Sequence, residues 1–225
     1  MSPHQFYNKM ELYITRQYWI NSGQTIGNVQ RILQGQQGGD LTDLGFKQAS
    51  LLGNRLKSVH FDAIVCSDLN RCQQTLYQIM PHHNYIEPIF DQRLREKSAG
   101  ALEGQPLGTT DSLAKKNGVN PREFRPLNGE SWTDVQNRAR NFLMEISSRL
   151  IQPDNNTKVL IVSHGGWIME FINVIRELKG QPPLYSNKSK NTAVYIYRFR
   201  LVGNKLTPNK IIENDTKHLE DHWIR

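Results

Sequence analysis

Short apolar runs alternate with longer amphipathic segments along this chain, and the alternation predicts its secondary structure. Apolar runs predict strands over residues 11–15, 61–67, 85–90, 158–163, 192–201 and 205–214. Apolar positions at helical spacing predict helices over residues 41–56, 69–80, 130–151 and 166–178. Thr42 is the predicted N-cap of the first helix, and Pro81 ends the second. Pro88 places the strand that contains it at a sheet edge, because proline has no N–H to donate.

Strands separated by helices of this length predict βαβ crossovers and a mainly parallel sheet. We therefore expect an α/β fold, a three-layer α/β/α sandwich, in a single domain over residues 1–225. Residues 91–130 are rich in glycine, proline and charge and predict an inserted, lid-like region with short helices. With 37% hydrophobic residues, the 225-residue chain can bury one sizeable core.

Composition narrows the possible partners. The apolar runs fall well short of the roughly 20 residues of a membrane span, and the N-terminus has no hydrophobic signal core, so we expect a cytoplasmic protein without membrane contact. Cys66 and Cys72 give neither a disulfide framework nor zinc spacing, and we expect no metal or other cofactor. The net charge of +7 favours an anionic partner, although a solvated basic surface would also explain it. No nucleic-acid fold signature is present, so a phosphorylated small molecule is the expected ligand.

Charged and polar residues follow the predicted strands at the points where the strands end. Arg16, Arg71, Glu96 and His164 each come after a different strand or in the first turn of the next helix. The carboxyl ends of parallel strands meet at one edge of the sheet, so these side chains are expected to converge. Arginine matches phosphate oxygens, histidine donates a proton or attacks as a nucleophile, and glutamate serves as a general acid. Gly165 follows His164 at the N-terminus of the next predicted helix, where free backbone N–H groups favour the binding of an anion.

Five ordered motifs resemble those of the histidine phosphatase superfamily, also called phosphoglycerate mutase-like. They are SDLNRCQQT (67–75), LREKSAGALEG (94–104), NGESWTDVQNR (128–138), VSHGG (162–166) and NTA (191–193). Within the superfamily the likeness is greatest to the TIGAR-type fructose-2,6-bisphosphatase branch. The resemblance implies a cytosolic, metal-independent, monomeric protein that acts on sugar bisphosphates or similar phosphometabolites.

The resemblance also implies roles for individual residues. Arg16, Arg71, His164 and Gly165 are expected to hold the phosphoryl oxygens, and Glu96 and His164 are the catalytic candidates. The remaining assignments concern the loops around the substrate: Gln34 and Gly35 are expected to face it, and Asn28 and Asn191 to support the site.

The first motif of the family, Arg-His-Gly-Glu/x-Thr followed shortly by Asn, is altered in this chain. Gln17 follows Arg16 in the place of the histidine nucleophile, and GQTIGN (23–28) fits the rest of the motif. On this alignment residues 17–22 stand where one histidine is expected, as an insertion that either bulges outward or plugs the pocket. A glutamine amide nitrogen is too weakly basic to carry a phosphoryl group, so covalent catalysis would be lost.

Three functions remain open at this point. The chain binds phosphate esters or a protein partner without turnover, or it is an active phosphatase that works by an altered route, or it is an interaction protein that has kept only the fold. The presence of Arg71, Glu96 and His164 together argues against the third, because a site that no longer binds would not be expected to keep all three.

Overall fold

The computed structural model describes residues 12–150, 156–185, 188–202 and 205–219. Its strands are β1 (Leu12–Asn21), β2 (Ala63–Cys66), β3 (Ile89–Phe90), β4 (Asn156–Ser163), β5 (Val194–Val202) and β6 (Lys205–Asp215). Its α-helices are α1 (Ile26–Gln30), α2 (Asp43–Leu56), α3 (Asn70–Ile79), α4 (Thr109–Lys116), α5 (Trp132–Leu150) and α6 (Gly165–Leu178). Residues 11 and 151, which two of the predicted elements include, lie outside the described residues.

The strands form one sheet in the order β3-β2-β4-β1-β5-β6. The pairs β2–β3, β2–β4 and β1–β4 are parallel, whereas β5 and β6 add an antiparallel edge next to β1. One core cluster joins the sheet to α5 and α6, and the other joins its opposite face to α2 and α3. The predicted three-layer α/β/α sandwich with a mainly parallel sheet is therefore confirmed.

The predicted helices lie within two residues of their observed bounds, because each has a clear apolar face. The Thr42 side chain accepts a hydrogen bond from the Gly45 N–H, 3.0 Å away, and caps α2 as expected. The strand predicted over residues 85–90 is reduced to Ile89 and Phe90, which pair with β2 at the sheet edge after Pro88. Residues 91–130 contain α4 and two single 3₁₀ turns.

The first strand departs most from the prediction. Residues 12–21 form one continuous strand with β4 on one side and β5 on the other, so no insertion follows Arg16. The side chains alternate between the two cores: Gln17 and Trp19 share one face, and Tyr18 and Ile20 lie in the cluster on the other. A central strand that is buried on both faces shows no apolar-polar alternation. Because Arg16 and Gln17 are polar and lie in the middle of β1, the predicted strand ended too early, at residue 15.

Among the described residues, helices that combine the length and the apolar character of a membrane span do not occur.

Candidate functional site

A cavity of about 870 Å³ opens at the carboxyl ends of β1, β2 and β4. Eight of the residues that the sequence assigned to a site line it: Asn28, Gln34, Gly35, Arg71, Glu96, His164, Gly165 and Asn191. The convergence follows from the topology, since β1, β2 and β4 are parallel neighbours and end at the same edge of the sheet.

His164 lies at the floor of this cavity, immediately after β4 and before the first turn of α6. Its side chain is buried, with Nδ1 accepting a hydrogen bond from Arg71 Nε at 3.0 Å. Because Nδ1 is the acceptor, the ring proton resides on Nε2, which lies 2.9 Å from the Ser67 hydroxyl oxygen. Burial, reinforced by the charges of Arg71 and Arg138, holds the pKa of His164 well below its usual 6.5. His164 is therefore a neutral imidazole with both ring nitrogens engaged.

This arrangement predicts that His164 does not titrate in the physiological range. In a two-dimensional ¹⁵N-¹H spectrum the ring should keep the Nε2–H tautomer from pH 8 down to pH 5. The unfolded chain binds a second proton on this ring as the pH falls below about 6.5, and the folded chain does not. The contribution of the neutral His164 to the free energy of unfolding is therefore intact above that pH and declines below it. Titration of the His164 ring near pH 6.5 would contradict the proposed hydrogen-bond arrangement.

Arg71, on the first turn of α3, already bonds to protein acceptors with all three of its nitrogens. Its Nη2 donates to the carbonyl of Gly35 at 2.8 Å, its Nη1 donates to the carbonyl of Gln37 at 3.2 Å, and its Nε donates to His164. The buried guanidinium thus holds the 35–37 loop against the cavity floor. A phosphate that binds Arg71 has to share or replace these carbonyl contacts.

The Glu96 carboxylate lies against the N-terminus of α6. Its Oε2 accepts the Gly166 N–H at 2.9 Å, and its Oε1 accepts the Lys97 N–H at 2.8 Å. A carboxylate at a helix N-terminus complements the helix dipole, so Glu96 fills part of the anion position that the sequence assigned to this turn. Gly165 precedes this contact and also lines the cavity.

The remaining loop predictions fall around the end of β1. Asn28 completes a capping box with Thr25 at the start of α1, with both backbone-to-side-chain hydrogen bonds at 3.0 Å. The Asn191 amide donates to the carbonyl of Ser22 at 3.2 Å and lies 3.4 Å from Asn28 Oδ1. Asn28 and Asn191 therefore brace the loop that follows β1, while Gln34 lies on the cavity wall.

Arg16 and Gln17 are not brought to the cavity, and this corrects the predicted site. Arg16 lies within β1 beside Lys158 of β4 and Arg198 of β5, and Gln17 pairs with Val159 and Tyr197. Gln17 is 1% exposed on the face that packs against α5 and α6. A side chain in the middle of a central strand cannot face a cavity at the strand's end.

Two residues that the sequence reasoning missed stand at the end of β1 instead. Asn21 pairs with Ser163, and the Ser22 N–H donates to the Ser163 carbonyl at 3.1 Å, so both lie next to His164. Both line the cavity and are buried. The Asn21 amide donates to the Lys190 carbonyl at 2.8 Å. Counting back from GQTIGN without a gap would have found this pair, because Asn21 and Ser22 then take the Arg and His places of the motif.

Basic side chains also surround the cavity above its floor. Arg31, Lys97, Arg122 and Lys188 line the wall, and the acidic residues that line the cavity besides Glu96 are Asp111 and Glu170. Arg122 is paired with Glu170 through two hydrogen bonds of 2.8 and 2.7 Å. Across the part of the chain that the structure describes, groups of three or more His, Cys, Asp or Glu side chains placed to hold a metal ion are absent.

Comparison with known proteins places this chain in a family. Residues 20–208 match the profile of the histidine phosphatase superfamily (branch 1). The match takes in Asn21 and Ser22 and begins after Arg16 and Gln17. The chain is 36% identical over 143 residues to fructose-2,6-bisphosphatase TIGAR of Xenopus tropicalis, covering 62% of this chain and 52% of that protein. It thus spans about half the length of this relative.

Another curated relative and two solved structures are also similar to this chain. A broad-specificity phosphatase of Saccharomyces cerevisiae is 34% identical over 161 residues, which is 69% of this chain and 67% of that one. The structure of YhfR from Bacillus stearothermophilus has a TM-score of 0.73 and 29% identity, covering 92% of this chain and 100% of the other. A phosphoserine phosphatase mutant from Entamoeba histolytica, solved with phosphoserine, shares the fold with a TM-score of 0.70 and 23% identity over 92% of this chain and 100% of its own.

Proposed function

The chain belongs to branch 1 of the histidine phosphatase superfamily, and we propose that within this family it binds phosphorylated small molecules without forming a phosphohistidine. The observation that carries the proposal is the pair Asn21–Ser22 at the end of β1, beside Ser163 and His164. In the ungapped register, Asn21-Ser22-Gly23-Gln24-Thr25 takes the place of Arg-His-Gly-Glu-Thr. The altered nucleophile position is therefore Ser22 rather than Gln17.

These two substitutions remove different parts of the reaction. A serine hydroxyl is a poor nucleophile unless an adjacent base takes its proton, whereas an imidazole has a lone pair ready at neutral pH. Replacement of arginine by asparagine removes a positive charge from the phosphate position, and with it stabilisation of the charge that develops during phosphoryl transfer. The first loss falls on the chemical step, and the second falls on phosphate binding as well as on the chemical step.

The groups that remain are suited to holding a phosphate ester. Arg71 supplies a guanidinium at the floor, and the first turn of α6 supplies the backbone N–H of Gly165. The Ser22 hydroxyl and the neutral imidazole of His164 complete the polar floor. The cavity of about 870 Å³ is large enough for a sugar bisphosphate, the class on which the TIGAR relative acts by its name.

The competing function is hydrolysis by an altered route, with His164 as nucleophile or base and Glu96 as acid. It requires a free lone pair on His164, and Nδ1 already accepts from Arg71 while Nε2 carries the proton. Glu96 is likewise held by two backbone N–H groups. The geometry therefore favours binding over turnover.

Two measurements on the purified wild-type protein test the proposal. Phosphate release from p-nitrophenyl phosphate and fructose 2,6-bisphosphate should stay at the buffer rate. Calorimetry with fructose 2,6-bisphosphate should show one saturable site. Turnover that is lost in His164→Ala or Ser22→Ala would establish the altered route, and the absence of any binding would leave only the interaction-protein function.

Arg71→Ala should weaken phosphate-ester binding by about 1–3 kcal/mol, the range for losing a charge-assisted hydrogen bond. Calorimetry on the variant gives the value. Arg125→Ala is the matched control, because Arg125 is an exposed arginine outside the cavity lining and should bind like wild type. Thermal unfolding of both variants separates ligand contacts from a collapse of the 35–37 loop. Unchanged affinity in a folded Arg71→Ala protein would exclude Arg71 from the site.

A further inference from the structure

The loop over residues 188–192 forms the part of the cavity wall that lies next to Ser22. Three of its residues line the cavity: Lys188, Ser189 and Asn191. The end of β1 holds this loop through two hydrogen bonds, since the Asn21 amide donates to the Lys190 carbonyl at 2.8 Å and the Ser22 carbonyl accepts the Thr192 N–H at 3.1 Å. Its remaining supports come from the end of β6 and the turn that follows.

Asn214, near the end of β6, binds the same loop with its side-chain amide. Its Oδ1 accepts hydrogen bonds from the Lys190 N–H and the Tyr195 hydroxyl, each at 3.1 Å. Its Nδ2 donates to the Lys188 carbonyl, also at 3.1 Å. The backbone of Asn214 lies in the left-handed region, with φ of 50°, which asparagine adopts more readily than most residues. One amide therefore fixes two backbone groups of the loop.

His218 reaches the loop through Thr192. The Thr192 hydroxyl donates to the Asn191 carbonyl at 2.8 Å and lies 2.9 Å from His218 Nε2. A hydroxyl has one proton to donate, so Nε2–H is the donor of the second contact, and Nδ1 accepts from Arg55 Nη1 at 3.3 Å. Burial, together with the charge of Arg55, lowers the pKa of His218 to about 4, so the ring is neutral near neutral pH. The hydrogen bonds then run in one direction, from Arg55 on α2 to the Asn191 carbonyl in the loop.

Thr192 is the residue of this loop that most needs such support. It is 0% exposed and has a φ of 51°, in the left-handed region that a β-branched residue rarely adopts. A backbone of this kind persists where the surrounding contacts hold it. Those contacts are the Ser22 carbonyl and His218. An ion pair of 2.9 Å between Arg55 and Asp215 ties α2 to the end of β6 and so keeps His218 within reach of Thr192.

We propose that Asn214 and His218 are positioning residues, which set the affinity of the cavity for phosphate esters although neither of them lines it. They act through the 188–192 loop, by keeping Asn191 and the neighbouring backbone in the arrangement that a bound ligand meets. The inference rests on the proposed function, because it concerns the ligand of the same cavity. It assigns a role to the segment at the end of β6, which lies outside the five sequence motifs.

Two substitutions test this role by calorimetry with fructose 2,6-bisphosphate. His218→Leu keeps an apolar side chain of similar size but removes both ring nitrogens, and Asn214→Gly keeps the left-handed backbone but removes the amide. Each should reduce the affinity at least about tenfold, because the binding-competent arrangement of the loop becomes a minor one. His218→Gln should stay within about threefold of wild type, since its amide N–H takes the place of Nε2–H.

His60→Leu and Asn128→Gly are the matched controls. His60 is exposed, Asn128 is exposed with a φ of 58°, and both lie outside the cavity lining. Both control variants should bind like wild type. Thermal unfolding shows which variants are folded at the temperature of the titration, and if one of the two test variants is not folded, the other decides.

Amide hydrogen exchange reports on the loop itself, without a ligand. The N–H groups of Lys190 and Thr192 should exchange at least about tenfold faster in His218→Leu and Asn214→Gly than in wild type, while those of β4 stay protected. Such a local change separates a displaced loop from a general loss of stability, which would also expose β4.

The outcomes distinguish this inference from the proposed function. Faster exchange in the loop together with weaker binding supports it. Unchanged affinity in the folded test variants, or an equal loss in His218→Gln, overturns it and leaves the proposed function standing. If wild type does not bind the probe, the proposed function is wrong, and the exchange rates alone decide whether these residues position the loop, with unchanged rates overturning that role as well.

Discussion

Asn21→Arg combined with Ser22→His should convert this protein into a measurable phosphatase. The double variant restores the Arg-His pair at the end of β1, next to Arg71, Glu96 and His164, which the chain already places around the cavity. The new imidazole supplies a nucleophile, and the new guanidinium supplies charge stabilisation in the transition state. We expect phosphate release from p-nitrophenyl phosphate to rise at least about 100-fold over wild type, the lower end of what one positioned group contributes.

The two single variants show how much each substitution contributes to the gain in phosphatase activity. Ser22→His alone should give less than the double variant, because the uncharged Asn21 would remain at the phosphate position. Asn21→Arg alone should give no turnover, since it adds charge without a nucleophile. A covalent phosphohistidine, stable to base and labile to acid, should be trapped only in variants that carry His at position 22.

Gln17→His is the control that tests the register itself. If the insertion between Arg16 and the loop existed, this change would restore the nucleophile. In the structure Gln17 is buried in the sheet between Val159 and Tyr197, so Gln17→His should give no activity. Activity in Gln17→His, with none in the double variant, would overturn the assignment of Ser22.

The contrast between Gln17 and Ser22 shows where sequence reasoning reached its limit. Arg71, Glu96 and His164 were found because each follows a strand and lies in a motif with rigid spacing. The end of β1 was misplaced because Arg16 imitates the first residue of the altered motif. The hydropathy pattern did not show that β1 continues past Arg16, because a central strand that is buried on both faces has no alternation that Gln17 would interrupt.

Lys97 illustrates a different limit. A lysine that follows a glutamate in a loop is exposed in most proteins, and its sequence neighbours give no sign of the cavity. Lys97 is nevertheless buried, and its ammonium lies 5.2 Å from the ring centroid of Trp132, a residue far along the chain that comes close only in the folded state. Likewise, the sequence placed Arg71 at the site, but the carbonyls of Gly35 and Gln37 that occupy its donors are visible only in the structure.

Trp19→Ala should be among the most destabilising single changes in the chain, with a loss of about 3–5 kcal/mol in the free energy of unfolding. Trp19 is 0% exposed and stacks on Phe171 with ring centroids 3.9 Å apart. It also stacks on Trp167 at 5.3 Å and meets Phe142 edge-on at 6.0 Å, so one side chain joins β1 to both α5 and α6. Urea denaturation followed by far-ultraviolet circular dichroism measures the change.

This prediction distinguishes a continuous strand over residues 12–21 from the inserted loop over residues 17–22 that the sequence suggested. An inserted loop over residues 17–22 would leave Trp19 in solvent or against a cavity, and its truncation would then change stability by no more than about 0.5 kcal/mol, as at ordinary surface positions. Leu127→Ala supplies that surface reference, because Leu127 is 74% exposed. A Trp19→Ala protein as stable as the Leu127→Ala protein would return residues 17–22 to a loop and remove the geometric basis for placing Ser22 beside His164. A loss several-fold larger than that of the reference would mean that β1 carries its core residues through to Ile20, so that the site begins only at Asn21.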